Sequence, residues 1–152
     1  MGVTGSGKTT IGKLLSKEIN YKFHDGDNLH SSENIEKMKK GIPLEDNDRE
    51  GWLNSIKELI DKENNIIISC SALKESYRQL LMKDKETTLI YLKGDFDLIK
   101  ERLDNRKDHF MNPNLLKSQF DTLEEPKNAI YVDVSHPPKN VIKHIKNKLN
   151  FS

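Results

Sequence analysis

The sequence lacks the features that mark secreted, membrane-spanning or nucleic-acid-binding proteins. Its one cysteine, Cys70, excludes a disulfide within the chain, and a reducing compartment fits this composition. No apolar run approaches the roughly 20 residues of a membrane span, and the N-terminal stretch lacks the apolar segment of a signal peptide. Lysine and arginine number 25 against 24 acidic residues, so the net charge of +1 creates no field toward nucleic acid or membrane. We therefore expect a cytoplasmic protein with neither as a partner.

The apolar share is also low, at 34%, while 32% of the residues are charged. Helices with surfaces rich in lysine and glutamate explain both values. The 152 residues contain no internal repeat, low-complexity tract or long linker. One domain over 1–152 is therefore expected.

Helical and strand patterns alternate along the chain, which predicts an α/β fold with a parallel sheet covered on both faces. Helical spacing follows the opening loop and recurs between the strand candidates and after Pro137-Pro138. The strand candidates are "YKFHD", "IIISC" (Ile66–Cys70), "TLIYL" (Thr88–Leu92) and "AIYVDV" (Ala129–Val134).

The opening "MGVTGSGKTT" contains G-x-x-x-x-G-K-T, the pattern of a phosphate-binding P-loop. Glycines let phosphate oxygens approach the backbone N–H groups, and the following helix adds its positive end. Lys8 is expected on the β- and γ-phosphates, and the Thr9 hydroxyl on Mg²⁺. The alternative is a chance glycine-rich turn, which the amphipathic helix that follows disfavours. The predicted ATP-binding residues are Gly2, Val3, Thr4, Gly5, Ser6, Gly7, Lys8, Thr9 and Thr10.

A P-loop normally follows a buried strand, yet almost no chain precedes this one. Three explanations stay open: the strand lies upstream of Met1, residues were lost from the recorded sequence, or the chain is a natural truncated form; we favour the first. The first central strand is therefore expected as a stub at Met1–Val3 at most, beside a gap in the sheet.

Four further blocks, in this order, resemble gluconokinases of the thermoresistant P-loop type: "DGDNLHSSENIEKMKKGIPLEDNDREGWL", "ISCSALKESYRQLL", "IYLKGDFDLIKERLDNRKDHFM" and "LLKSQFDTLEEP". The resemblance covers Gly2 to about Asp133. It implies a three-layer P-loop NTPase fold of the nucleoside-monophosphate-kinase-like type. It further implies phosphorylation of D-gluconate to 6-phosphogluconate with ATP and Mg²⁺, which feeds the pentose phosphate pathway, and a homodimer.

For that reaction, Asp27 is the expected base or orienter of the sugar hydroxyl, and Asp25 is expected to help hold Mg²⁺ through water; which of the two is the base stays open. Both follow a strand at the carboxyl edge where ligands bind, although an Asp-Gly-Asp turn that satisfies its own backbone is the alternative. His30 is expected to bind substrate hydroxyls, mainly on the strength of the resemblance. For Arg49 two roles stay open, a clamp on the substrate carboxylate or an ion pair with its acidic neighbours.

Two basic pairs complete the expected site. Lys74 and Arg78, four residues apart on one predicted helix, are assigned to the sugar-acid pocket, with a solvated basic pair as the alternative. Arg102 and Arg106 are assigned to a lid around 103–114 that closes over ATP and stabilises charge on the transferred group. His109 on that lid closes on the sugar or holds the lid shut.

Two other functions stay open at this point. The first alternative is another small-molecule kinase of the same fold, such as a shikimate kinase. Against it, "SCSALK" stands where that family has a glycine triplet after the third strand. Alternatively, it is an N-terminally truncated nucleotide-binding protein with little turnover.

Overall fold

A computed structural model describes residues 1–106 and 113–151 as helices alternating with parallel strands. The strands in these ranges are β1 (Lys22–Asp25), β2 (Ile66–Ser69), β3 (Ile90–Lys93) and β4 (Ile130–Asp133). The helices are α1 (Lys8–Ile19), α2 (Ser32–Lys39), α3 (Asp46–Lys62), α4 (Glu75–Met82), α5 (Phe96–Asp104), α6 (Pro113–Thr122) and α7 (Pro138–Lys148), with a 3-10 turn at Gly26–Leu29. The predicted α/β alternation is confirmed.

The strands form two parallel pairs, β1 with β2 and β3 with β4. Among the described residues, the backbone hydrogen bonds that join the pairs are those of the first two residues. The Met1 amino group donates to the Ile90 carbonyl at 2.6 Å, and the Met1 carbonyl accepts from the Leu92 N–H at 3.0 Å. On the other side, the Gly2 N–H donates to the Ser71 carbonyl at 3.3 Å. The predicted stub beside a gap in the sheet is confirmed.

Local sequence signals set most helix ends. The Ser31 hydroxyl caps α2 by accepting from the Asn34 N–H at 3.1 Å, and Gly41 ends this segment with a φ of 74°. Asp95 caps α5 in the same way through the Leu98 N–H, at 2.8 Å.

The start of α4 differs from the prediction. The helix begins at Glu75, and Lys74 precedes it in an extended conformation. The Glu124 carboxylate accepts a hydrogen bond from the Glu75 N–H at 2.7 Å and so fixes the first turn. Lys74 and Arg78 therefore do not share one helical face.

Two apolar clusters hold helices on the strands. One joins α1, α5 and α7 with Leu92 of β3 and Val132 of β4. The other joins α3 and α4 with Cys70, and Trp52 belongs to it at 3% exposure. In the described ranges, no helix is long and apolar enough to cross a membrane. This packing places the P-loop, the segment after β1 and the segment after β2 at one edge of the strands.

Candidate active site

The P-loop has the backbone that its glycines predict. Gly5 and Gly7 have φ values of 79° and 96°, in the left-handed region. A Cβ on Gly5 would lie 2.8 Å from Cγ of Leu103, so packing also requires glycine there. The Ser6 hydroxyl is buried and has no hydrogen-bond partner in the described structure. The loop is therefore a close-packed turn that leads directly into α1.

Lys8 lies in this loop, and its ammonium group donates to the Val3 carbonyl at 2.9 Å. Burial lowers the pKa of Lys8, the charges of Asp27 and Asp25 oppose that effect, and Arg106 adds to it. The protein thus compensates this ammonium charge incompletely. A bound polyphosphate would supply the missing negative charge.

Asp25 is fixed against the P-loop at the end of β1. Its Oδ2 accepts from the Thr9 hydroxyl at 3.1 Å. Its Oδ1 accepts from the Ser69 hydroxyl at 3.1 Å and from the Asp27 N–H at 3.0 Å. The adjacent hydroxyl and carboxylate are oxygen ligands of the type that Mg²⁺ prefers. No group of three or more His, Cys, Asp or Glu side chains suited to a metal occurs in the described ranges. That suits Mg²⁺, which keeps several waters and needs few protein ligands.

Asp27 follows Asp25 but is free to act on a ligand. Its side chain is exposed, and its carboxylate makes no hydrogen bond or ion pair to any described residue. Its charge acts on Lys8 on one side and on His30 on the other. Asp27 therefore stands between the phosphate loop and the rest of the site.

His30 is held in a defined orientation. Its ring stacks on Trp52, with centroids 4.3 Å apart and an interplanar angle of 10°. The Asn34 amide nitrogen donates to the Asp48 carbonyl at 2.7 Å. The same nitrogen lies 3.3 Å from Nδ1 of His30, and an amide nitrogen can act only as a donor there. Nδ1 then accepts, and Nε2 carries the ring proton. Burial lowers the pKa of His30, with the charge of Arg49 acting in the same direction and that of Asp27 against it. The neutral imidazole can donate from Nε2 to a hydroxyl.

Arg49 is a buried cation that forms no ion pair with a carboxylate within the described residues, although its charge acts on those of Asp46 and Asp48. It is 7% exposed, and it donates to the Tyr77 hydroxyl at 3.1 Å. Its acidic neighbours have other partners, because Asp48 pairs with Lys37 at 2.7 Å and Asp46 pairs with Lys74 at 2.9 Å. Of the two roles left open by the sequence, the geometry favours the clamp on a ligand carboxylate.

Lys74 and Arg78 have different surroundings. Lys74 pairs with Asp46, which also accepts from the Tyr77 hydroxyl, and this places Lys74 beside Arg49 and Tyr77. Arg78 is 3% exposed.

Five hydrogen bonds to oxygen atoms use the whole guanidinium donor set of Arg78, and one of its nitrogens also lies 3.9 Å from Sδ of Met1. They go to the carbonyls of Ala72, Leu73 and Glu124 at 2.8, 3.1 and 2.7 Å and twice to the Glu75 carboxylate, at 3.2 and 2.9 Å. Arg78 therefore holds the segment after β2 in place. The predicted substrate contact of Arg78 stays a prediction that this geometry does not favour.

The basic pair at the end of α5 lies near the site. Arg102 is partly exposed and lies close enough to Asp133 for their charges to interact. Arg106 is exposed, and its charge acts on Lys8. His109 lies outside the described residues, as does the centre of the segment expected to form a lid.

Two further residues, Gln119 and Tyr77, connect parts of the site. Gln119 on α6 accepts from the Thr4 N–H at 2.7 Å, which connects the helix after the expected lid to the P-loop. Tyr77 connects Arg49 to Asp46. Ser69, at the end of β2, donates to Asp25 and so connects the two neighbouring strand ends.

Comparisons with known proteins agree on the type of fold. Residues 4–148 match the family model for shikimate kinase. The thermoresistant gluconokinase of Escherichia coli is 42% identical over 151 residues, covering 93% of this chain and 86% of that protein. The crystal structure of a gluconokinase from Sinorhizobium meliloti superposes with a TM-score of 0.92 at 39% identity, over 99% of this chain and 89% of the other.

The shikimate kinase structure from Aquifex aeolicus is less similar. It gives a TM-score of 0.65 at 26% identity, over 99% of this chain and 93% of the other. Both sets of relatives share the P-loop kinase fold, and the higher identity is to the gluconokinases.

Proposed function

The chain belongs to the gluconokinase family of P-loop kinases, and from that premise we propose that it transfers the γ-phosphoryl group of ATP to the 6-hydroxyl of D-gluconate. The observation that carries the choice of a sugar acid is Arg49, a buried guanidinium without a carboxylate partner in the described structure. Its charge and that of Asp27 both act on His30, which supports a site shared by the three groups.

The ATP side of this site is the P-loop. The backbone N–H groups of the loop and the start of α1 bind the phosphates. Lys8 leaves the Val3 carbonyl, which it contacts at 2.9 Å, and moves onto the β- and γ-phosphates. The exchange is favourable because burial has already removed water from an ammonium group that lacks a full counter-charge.

The sugar-acid side is formed by Arg49, Lys74 and His30. Arg49 binds the gluconate carboxylate with two parallel N–H donors, while Lys74, held by Asp46, adds positive charge to the same region. His30 donates from Nε2 to a hydroxyl of the chain. Anchoring the acid end at Arg49 directs the opposite end of gluconate toward Asp27 and the P-loop.

The chemical step needs a proton acceptor and charge stabilisation. Asp27 accepts the proton of the attacking hydroxyl as the new P–O bond forms and the bond to ADP breaks. Lys8, with Arg102 and Arg106 from the end of α5, stabilises negative charge on the transferred group. Thr9 and Asp25 would hold Mg²⁺, which neutralises phosphate charge when it is bound. Asp25 remains bound to Ser69 and Thr9 and so does not compete for the proton.

Shikimate is the second candidate substrate, because the matched family model is that of shikimate kinase. Shikimate is also a hydroxylated carboxylic acid, so Arg49 alone does not separate the two. The higher identity to gluconokinases favours gluconate.

We also propose a cellular location and an oligomeric state for the chain. ATP as donor and a buried free thiol at Cys70 fit the cytoplasm. The homodimer implied by the resemblance is tested by sedimentation of the purified chain, where a monomer mass at all concentrations would contradict it.

The direct test is a coupled assay of ADP release with D-gluconate and shikimate in parallel, at equal protein and ATP concentrations. The Lys8→Ala variant serves as the blank for contaminating kinases. We expect Lys8-dependent turnover with gluconate and none with shikimate. Shikimate-dependent turnover, or ATP binding without any gluconate-dependent turnover, would contradict the proposal.

A further inference from the structure

Tyr77 lies between two opposite charges of the sugar-acid pocket. Asp46 and Arg49 are three residues apart on α3, a spacing that makes two side chains neighbours on a helix surface. A carboxylate and a guanidinium at this spacing can form a direct ion pair. In the described structure these two groups form none, and the Tyr77 hydroxyl contacts both of them instead.

The hydrogen bonds of Tyr77 have defined directions. Its hydroxyl accepts from Nη1 of Arg49 at 3.1 Å and donates to Oδ1 of Asp46, because an ionised carboxylate can only accept. Burial and the Asp46 carboxylate raise the pKa of Tyr77, so the hydroxyl keeps its proton at neutral pH. The same Oδ1 accepts from the Lys74 ammonium group at 2.9 Å. The Asp46 carboxylate is therefore bound by Tyr77 and Lys74.

Packing determines where this hydroxyl lies. Tyr77 is 5% exposed, and its ring belongs to the apolar cluster that joins α3 and α4. The ring also lies beside both cations of the pocket. Its centroid is 5.6 Å from the guanidinium carbon of Arg49 and 5.7 Å from the ammonium nitrogen of Lys74. The hydroxyl is thus held at one place between the two helices.

The contact with Tyr77 leaves most of the Arg49 guanidinium available. Nη1 uses one N–H on Tyr77, and the described residues supply no hydrogen-bond partner for Nε or Nη2. These two nitrogens lie on one edge of the guanidinium plane and present two parallel donors, which match the two oxygens of a carboxylate. A direct ion pair with Asp46 would occupy donors that a ligand needs.

We propose that Tyr77 is a positioning residue for the substrate: its hydroxyl is a spacer that prevents Asp46 from pairing with Arg49 and so keeps the guanidinium available for the ligand carboxylate. This inference rests on the function proposed above, in which Arg49 binds that carboxylate. Arg49 and Lys74 are two cations, and Asp46 is one anion, so the group has one positive charge in excess. One carboxylate balances that charge.

The kinetic test begins with Tyr77→Phe, which removes the hydroxyl and retains the ring that packs between α3 and α4. We expect KM for D-gluconate to rise about 10–100-fold, because Arg49 then pairs with Asp46. The values of kcat and of KM for ATP should change less than about twofold, since the P-loop and Asp27 are unaltered.

A second background separates the spacer from a merely structural role. In Asp46→Asn, no carboxylate at this position competes for Arg49. Adding Tyr77→Phe to that background should therefore raise KM for gluconate by no more than about threefold. A structural role for the hydroxyl would raise KM equally in both backgrounds.

Tyr91→Phe is the matched control for the loss of a buried hydroxyl. Tyr91 on β3 is 3% exposed, and its hydroxyl also interacts with a carboxylate, that of Glu125. This variant should leave KM for gluconate unchanged, even if its Tm falls as much as that of Tyr77→Phe.

A crystal structure of Tyr77→Phe without substrate tests the spacer separately from the choice of substrate. It should show Arg49 in direct contact with Asp46, at about 2.8 Å. If the parent chain shows no gluconate-dependent turnover, the proposed function fails, and this structure still decides the role of Tyr77. The inference is overturned if Arg49 stays apart from Asp46 there, or if Tyr77→Phe leaves KM unchanged or raises it equally in both backgrounds.

Discussion

Replacing Arg49 by methionine separates a ligand-binding role from a structural one. Its hydrogen bond to the Tyr77 hydroxyl is the one that the described residues provide, and such a bond contributes about 1 kcal/mol to folding. Burying a charge without an ion pair costs several kcal/mol, and the Tyr77 ring, whose centroid is 5.6 Å from the guanidinium, and the charges of Asp46 and Asp48 offset part of that cost. The Arg49→Met variant removes the cost and these interactions together. Tyr77 keeps its bond to Asp46 in the variant. We therefore expect the Tm of Arg49→Met to be unchanged or higher.

Catalysis should respond in the opposite direction. Two charge-assisted hydrogen bonds to the gluconate carboxylate are together worth about 3–4 kcal/mol. Their loss lowers kcat/KM by about 10²–10³-fold, mostly through KM if the clamp acts equally in the ground state and the transition state. The measurement is a gluconate titration at saturating ATP, with the KM for ATP as an internal control.

Arg78→Met is the matched control, since Arg78 is also buried but has all its donors satisfied by the protein. Breaking that network should cost about 3–5 kcal/mol of unfolding free energy, or roughly 10 °C in Tm. The reasoning is refuted if Arg49→Met loses as much thermal stability as Arg78→Met while its KM for gluconate stays unchanged.

Three other predictions concern the phosphate side and pH. Asp27→Asn should leave ATP affinity intact and lower kcat by about 10²–10⁴-fold; a mild effect by steady-state kinetics would assign the base elsewhere. Thr9→Val should raise the Mg²⁺ concentration needed for half-maximal rate, and an unchanged Mg²⁺ titration would remove Thr9 from the metal site. Because the pKa of His30 is lowered in the folded protein, the unfolded chain takes up its proton first as the pH falls. The contribution of His30 to stability is therefore complete above pH 6.5, the ordinary pKa, and is lost as the pH falls through the folded pKa. Urea midpoints should show this decline in the native chain and less of it in His30→Gln, and equal declines would contradict it.

The parts predicted from sequence are those that short segments determine. The P-loop glycines fix their own backbone, and Asp25 and Asp27 follow a strand that its own apolar run defines. The gap between the two strand pairs of the described residues was also expected, because the residues given before the P-loop are too few to form a strand.

The parts that sequence left open depend on distant partners. The role of Arg49 depends on whether Asp46 and Asp48 form ion pairs with other residues. In the folded chain they pair with Lys74 and Lys37, respectively. The start of α4 depends on Glu124, whose carboxylate accepts a hydrogen bond from the Glu75 N–H, 49 residues away in the chain. Helical spacing alone does not show this contact and therefore placed Lys74 wrongly within the helix. Such pairings exist only after folding, and a single sequence does not reveal them.

Phosphorus NMR of the product formed from ATP and D-gluconate tests the central claim most directly. The account predicts, alongside ADP, one new phosphate monoester signal that couples to the two protons on carbon 6 of gluconate, and no such signal with Lys8→Ala. A phosphate on another carbon, a product formed from shikimate instead, or release of inorganic phosphate alone would contradict it.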